Sequence, residues 1–525
     1  MRITAFLFLS FLVKIAASQI LQAIPSSIQF ANKVLTNTND SVQLTLTNLG
    51  NSAVQVKNIR VFSSEFSVSD TVFSLSPISS KVVWVRFRPN QNVAYNTEMI
   101  ISTSKGDQVL DVKGSGKFAE AYYDGTFNLF EEALKTELKN RLAQGYITLG
   151  YNTARDYMYA SIDNVSGNVE CVYTGRVASF NTRSGAAANN FNCEHTYPQS
   201  QFGSADPMLS DIHHLFPVDE TANSTRSNDP WGYVTSPTWS VGGSKSNGSL
   251  FEPRDAHKGK GARAQLYFVA RYGNLNNFLS SQEIILRQWC KSFPPDAAEK
   301  KRNNDIDVVQ KNRNPFIDHP EFLDRISSMS TTSSAPVVRK MDYLTQVITA
   351  NAFVGQNFTW DVAFAGTGNS SVALSNIRFA QNLFSFTSAP NGLFPGESLV
   401  LSFAKTPTAA GVIYDTIIFN SNAIGYAELR IPVTLSVSAT GIENQVIDPT
   451  IFPNPANANL FIQKSSLVLQ QRLEVFDAMG KSMIKINSLP NSSITLETAN
   501  WPAGVYFVII MDDAGTHNRI ISVLH

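Results

Sequence analysis

Asn192-Cys193-Glu194-His195-Thr196-Tyr197-Pro198-Gln199 is followed by Ser210-Asp211-Ile212-His213-His214-Leu215 and then by Asn223-Ser224-Thr225-Arg226-Ser227-Asn228. A carboxylate stands beside an imidazole, a His pair follows, and an Asn/Arg cluster closes the run among small, turn-forming residues. On an extended segment, adjacent side chains point to opposite faces, so Glu194 and His195 serve two sides of one strand.

These residue types suit the cleavage of a phosphodiester. That reaction needs an activated water, neutralised phosphoryl oxygens and a way to stabilise the departing sugar oxygen. Histidine titrates near neutral pH and can take the proton of a water. A Glu carboxylate and an Asn amide suit a hard cation that keeps several waters, which is the habit of magnesium. Each residue also has a plainer reading. A Glu-His pair alone carries little information, His213 and His214 suit packing or capping as well as ligation, and Asn223 and Asn228 suit turns or helix caps. No Cys-x-x-Cys pair exists, and the spacing is too irregular for a zinc knuckle. The order of the whole constellation favours chemistry.

That order resembles the secreted endonuclease I family, nonspecific nucleases with a ββα-metal core, between Tyr122 and about Arg325. Besides the blocks above, the resemblance runs through Gly261-Ala262-Arg263-Ala264, Arg271-Tyr272-Gly273 and Lys311-Asn312-Arg313-Asn314-Pro315-Phe316-Ile317-Asp318. Carried over by position, it implies His195 as general base and Glu194 and Asn223 as ligands of Mg2+ or of another divalent cation such as Mn2+ or Ca2+. The implied substrate is DNA, with RNA left open, and the implied products carry 5′ phosphates. Relatives place a phosphate-binding arginine on a longer loop than the one between Phe202 and Ser210; Arg226 and Arg183 are the candidate substitutes.

The 525 residues suffice for several domains, and 43% hydrophobic with 16% charged residues describe an ordinary globular chain. Arg2, the apolar run Ala5 to Val13 and Ala16-Ala17-Ser18 predict a signal peptide over 1–18. That run is too short to span a bilayer, and no later segment reads as transmembrane. The three cysteines allow at most one internal disulfide. The pairing expected is Cys171 with Cys193, tethering the Glu194 strand to the strand-like Val169 to Tyr173; the alternative is three buried thiols, Cys290 foremost.

Apolar alternation with β-branched residues over Val42 to Thr47 and Val82 to Phe87, broken by Gly50-Asn51 and Pro89-Asn90, predicts a β-sandwich over 23–117. Gly50-Asn51-Ser52-Ala53-Val54-Gln55-Val56-Lys57-Asn58-Ile59-Arg60 matches Gly368-Asn369-Ser370-Ser371-Val372-Ala373-Leu374-Ser375-Asn376-Ile377-Arg378, which predicts a second sandwich over 337–438. Both read as immunoglobulin-like. They flank an α+β nuclease domain over 119–326, and the small polar stretch 327–336 reads as a linker. Within the nuclease region, Thr126 is expected to cap a helix presenting Phe127, Phe130, Leu134 and Leu138 and ending near Gly145. A second helix is expected from Ala262 to Tyr272.

Phe452-Pro453-Asn454-Pro455, a Gly480 turn and Pro502-Ala503-Gly504-Val505-Tyr506 resemble the C-terminal sorting domain read by the type IX secretion system, here over 446–525. The fold class expected is thus multidomain: a ββα-metal α+β core, two all-β immunoglobulin-like sandwiches and a small C-terminal β-sandwich. The resemblance implies the secretion machinery as a partner and a secreted or surface-anchored product. Equal numbers of basic and acidic residues, 42 each, argue against tight nucleic-acid binding more than against cleavage. The clusters Lys258, Lys260, Arg263 and Lys300, Lys301, Arg302 read equally as a groove lining or as solvated helix faces. Two functions follow: a secreted metal-dependent endonuclease, or a cell-surface binding or adhesion protein with an inactive nuclease-like domain.

Overall fold

A computed structural model describes residues 21–35, 40–439, 450–463, 471–487, 494–512 and 515–525; the expected signal peptide lies outside the described residues. Strands open the described chain: β1 (Leu21–Ile24), β2 (Ile28–Val34), β3 (Asp40–Asn48), β4 (Val54–Val61), β5 (Phe66–Val68), β6 (Phe73–Leu75), β7 (Ser80–Phe87), β8 (Ala94–Thr103) and β9 (Gly106–Lys117). They form two sheets, ordered β1-β3-β7-β5 and β2-β9-β8-β4-β6. Alternation sends Leu44, Leu46, Val83 and Val85 from one sheet and Val56, Met99, Leu110 and Val112 from the other into one apolar cluster.

The later repeat reproduces this arrangement. One sheet is ordered Met341–Tyr343, Phe358–Gly366, Ser398–Lys405, Ser385–Ser388; the other is ordered Ile348–Phe353, Glu428–Ser438, Gly411–Ser421, Val372–Phe379, Gly392–Leu393. The matched stretches beginning at Gly50 and Gly368 therefore lead into strands holding the same place in each sheet.

Between them, buried residues from Phe118 to Met329 share one mixed core. Its central helix, Asp255–Tyr272, starts earlier than the expected Ala262 and is buried along most of its length. Gly261 is required there, because a Cβ would stand 2.2 Å from the Trp231 ring. The first expected helix is displaced: it runs Glu131–Ala143 and buries Leu134, Leu138 and Leu142. Thr126 instead ends a short 3-10 turn, its hydroxyl donating to Tyr123 O at 2.6 Å. Phe127 and Phe130 stay exposed, because the core-facing stripe starts one turn later.

The 327–336 stretch packs against this core. Met329 is buried in it, Glu283 accepts from Met329 N at 2.6 Å and Ser330 N at 2.9 Å, and Glu131 accepts from Ser327 N at 2.8 Å. Its small polar residues serve as partners for the buried Glu283 and the half-buried Glu131. No described helix is long and apolar enough to cross a membrane.

Near the C-terminus, strands Thr450–Phe452, Asn459–Gln463 and Ile494–Glu497 form one sheet, and Ser482–Ile486, Gln471–Asp477, Gly504–Asp512 and Gly515–Val523 form another. Asn454, between its two prolines, accepts from Ser522 N at 2.8 Å and donates to Ile520 O at 3.0 Å, which holds the opening segment to the last strand.

The expected Cys171–Cys193 disulfide is absent, and all three cysteines are buried free thiols. Strand Phe191–His195 pairs antiparallel with Leu215–Asp219, placing Cys193 opposite Pro217. Pro217 has no N–H for the ladder, and its carbonyl turns to the other edge, where it accepts from Val172 N at 3.1 Å. A strand thus lies between the two cysteines. Two strand spacings are about 10 Å, beyond the roughly 7 Å Cα separation a disulfide tolerates. Alkylation without reductant is expected to label three thiols after unfolding and none before; a pair labelled only after reduction would contradict this packing.

Candidate active site

Leu215-Phe216-Pro217-Val218-Asp219 forms a strand, and Asp219 at its end caps the next helix, accepting from Thr221 N at 3.0 Å and Ala222 N at 3.4 Å. The helix Glu220–Arg226 follows without a loop. Asn223 and Arg226, three residues apart, share the face turned toward the strand Phe191–His195.

Two contacts bridge that strand and helix in order. Asn223 Nδ2 donates to Asn192 Oδ1 at 2.8 Å, and Arg226 Nε lies 3.4 Å from Glu194 Oε1. Asn192 and Glu194 are two apart on the strand and share a face. The first contact leaves the Asn223 amide oxygen free as a ligand. Glu194, only 2% exposed, also receives the Tyr173 hydroxyl at 2.6 Å on the same Oε1, leaving Oε2 open. Burial pushes the Glu194 carboxyl up, and Arg226 and Tyr173 pull it partway back.

His195 faces the other side. Its Nε2 lies 3.0 Å from the Leu209 carbonyl and must carry the proton there, so Nδ1 is the bare nitrogen. The Gln199 amide lies 3.0 Å from Nδ1, and the Ser204 hydroxyl, donating to Gln199 Oε1 at 3.1 Å, fixes which end of that amide points inward. Burial pushes the His195 imidazole down to about 3, and His214 adds to the shift. His195 is therefore neutral, the form a base requires.

The second block is structural. His213 Nε2 donates to Asn312 O at 3.1 Å and His214 Nε2 to Met208 O at 2.7 Å. Asp211, fully buried, accepts from Tyr267 and Tyr272 hydroxyls at 2.8 Å each, Arg271 at 2.9 Å and Gln310 at 2.7 Å. The Asp211, Arg271 and Lys311-to-Asp318 blocks meet at this hub.

Both candidate phosphate arginines are otherwise engaged. Arg226 is 1% exposed and donates to Thr196 O at 2.7 Å and Ser227 O at 3.0 Å, which makes it a clamp on the Glu194 segment. Arg183 pairs with Asp156 at 2.7 Å on the surface, without contact to Glu194, His195 or Asn223. The basic clusters are likewise committed: Lys258 to Glu252 and Asp255, Arg263 to Glu299, Arg302 to Asp163, Lys301 to Asp305. Among functional residues, sequence reasoning missed Tyr173, Gln199 and the Leu209 carbonyl. Gln199 lay inside the first block, whereas a backbone carbonyl leaves no mark in sequence.

Buried histidines set an acid limit on stability. Burial pushes His213 down to about 4, His214 down, and His257 well below its ordinary range. Unfolded, each binds a proton near pH 6.5. From about pH 6.5 toward 4 the unfolded chain thus holds more protons, and stability falls by roughly 1.4 kcal/mol per pH unit per group. His319 moves the other way: burial opposes its charge, but Glu321 and Glu120 raise it, so its contribution is complete below pH 6.5 and leaves the slope unchanged. Urea midpoints are expected to drop steeply between pH 6.5 and 4.5; a flat profile would contradict the neutral packing.

Among the described residues no group of three or more His, Cys, Asp or Glu is suited to a metal, so a cation here relies on one carboxylate and one amide with water completing its shell. The open Glu194 Oε2 and the Asn223 amide oxygen fit that need.

Residues 130–321 match the family Endonuclease I, and residues 450–523 match the secretion system C-terminal sorting domain. An extracellular ribonuclease of Bacillus subtilis (strain 168) is 32% identical over 227 residues, 39% of this chain and 78% of its own length; one from Bacillus amyloliquefaciens matches to the same extent. An extracellular deoxyribonuclease of Aeromonas hydrophila is 27% identical over 154 residues, 25% of this chain and 67% of its own length. With the strand-to-helix site and the sorting domain in one polypeptide, the chain belongs to the endonuclease I family and is a nuclease exported through the type IX secretion system.

Proposed function

We propose that this protein is a metal-dependent, sequence-nonspecific endonuclease that hydrolyses phosphodiester bonds of DNA, with RNA as a second substrate, and leaves 5′ phosphates. The observation that carries the reading is the pair of contacts Asn192–Asn223 and Glu194–Arg226, which places a free amide oxygen and a free carboxylate oxygen on one face of the strand that presents His195 on the other. The two antiparallel strands and the helix at their end serve as a ββα-metal unit within a nuclease domain over 119–326. Immunoglobulin-like sandwiches over 23–117 and 337–438 flank it in sequence, and the sorting domain over 446–525 follows. Relatives named as a ribonuclease and as a deoxyribonuclease support a site tolerant of either sugar.

Glu194 and Asn223 hold Mg2+ or a similar divalent ion. When bound, the ion supplies charge neutralisation on the phosphoryl oxygens. His195 Nδ1 takes the proton of the attacking water, because Nε2 is committed to the Leu209 carbonyl. The water enters the place on Nδ1 that Gln199 otherwise fills. Arg226 and Tyr173 hold the Glu194 carboxylate in its rotamer.

The test is incubation of purified protein with plasmid and with RNA, in Mg2+, Mn2+, Ca2+ or chelator, followed by ligation of the product ends. Cleavage with the ion, none with chelator, and ligatable 5′ ends are expected. Chelator-resistant cleavage contradicts metal dependence, and no cleavage in any ion favours a surface binding or adhesion role.

A further inference from the structure

On the outer face of the β1-β3-β7-β5 sheet, Trp84 is 43% exposed and Val82 39%, with Arg86 exposed next along the strand. Val83 and Val85, between them, are in the core, so strand geometry fixes the outward direction of these three. The register places Arg86 between Ser41 and Ser67, Trp84 beside Gln43 and Val82 beside Thr45, with no carboxylate in those rows. Arg86 has no ion pair or side-chain hydrogen bond among the described residues.

The second repeat shows how the equivalent face looks when protein covers it. Ala363, Ala365 and Val400 pack there against Ile100, Phe62 and Val109 of the first sandwich. Asp107 of β9 accepts from the Thr345 hydroxyl at 2.7 Å and from Ala363 N at 3.1 Å. The strand pairs keep the same register at the same offset that relates Gly50 to Gly368, so Thr45 stands for Ala363, Val82 for Val400, Trp84 for Ser402 and Arg86 for Ala404. The covered face is built of small residues, and the open one carries a wide indole and an unpaired guanidinium.

We propose that this open face is an accessory site for a single strand of nucleic acid, with bases stacked on Trp84 and a phosphate at Arg86. Every base offers a π-face and every nucleotide a negative charge, so the pairing is sequence-tolerant. Serine hydroxyls and the Gln43 amide beside it add hydrogen bonds without repelling phosphate. The proposal rests on the nuclease reading, since it supplies the polymer to the cleavage site. The sandwich is fastened to the nuclease core, with Asn92 donating to the Thr126 hydroxyl at 2.9 Å and accepting from the Arg325 guanidinium.

The test measures fluorescence anisotropy of labelled oligothymidylate with the full chain in chelator, and cleavage of polymer and of a dinucleotide with the ion present. Trp84→Ala with Arg86→Gln is expected to weaken oligothymidylate binding about tenfold, to slow polymer cleavage and to leave dinucleotide cleavage unchanged. Trp84→Phe is expected to restore most of the binding. Unchanged oligothymidylate affinity in the double variant, with its circular dichroism intact, overturns the accessory site while leaving the nuclease reading standing. Loss confined to neutral polysaccharide binding overturns it as well. Failure of the unsubstituted chain to cleave any nucleic acid removes both.

Discussion

His195→Ala is expected to cleave plasmid about 10²- to 10⁴-fold more slowly than the unsubstituted chain, the range a positioned general base contributes. The two ring nitrogens have different partners. Nε2 donates to a backbone carbonyl that no substitution alters, so the proton is held there and Nδ1 carries the lone pair. Burial keeps the ring neutral, and the Ser204-to-Gln199 contact keeps a donor, rather than an acceptor, against Nδ1. Gln199→Ala, which removes that donor but not the base, is expected to retain far more activity. Thermal unfolding checks that both variants fold. If His195→Ala cleaves as fast as the original, another group activates the water.

Asp211→Ala carries the largest expected loss of stability, about 3–5 kcal/mol, the usual cost of removing one partner of a buried ion pair. Arg271 would stay buried over the Tyr146 ring, 3.4 Å from its centroid, with its counter-charge gone. The Tyr267 and Tyr272 hydroxyls and the Gln310 amide would lose the same acceptor. Burial opposes the Asp211 charge, yet Arg271, with His213, His214 and the Tyr267 hydroxyl, holds its carboxyl below the ordinary range. Asp211→Asn keeps an acceptor oxygen and is expected to fall between. Urea unfolding measures both, and a loss under about 1 kcal/mol for Asp211→Ala, as for an exposed pair, would contradict the hub.

Much of the site was legible because strand alternation is a local rule. Glu194 and His195, adjacent on an extended segment, necessarily separate to two faces. Two kinds of feature escaped. Phe127 and Phe130 mimicked a helical stripe, but burial is decided by what a helix packs on, and the core began only at Leu134. Arg263 and Arg302 read equally as a groove lining or as solvated helix faces, because their carboxylate partners Glu299 and Asp163 lie 36 and 139 residues away. The cysteine pairing failed for a similar reason: both residues lie beside the Pro217 strand, on opposite edges, and sequence spacing says nothing about what lies between. The repeated stretches at Gly50 and Gly368, by contrast, lead into the matching strand of two sheet pairs that share one strand order.

Calorimetric titration of Mn2+ into the Glu194→Gln, Asn223→Ala and His195→Ala variants, in the absence of nucleic acid, tests the proposed division of labour most directly. The expected result is that Glu194→Gln and Asn223→Ala lose the ion while His195→Ala binds it as the unsubstituted chain does and does not cleave. Unchanged Mn2+ binding by Glu194→Gln would contradict the site.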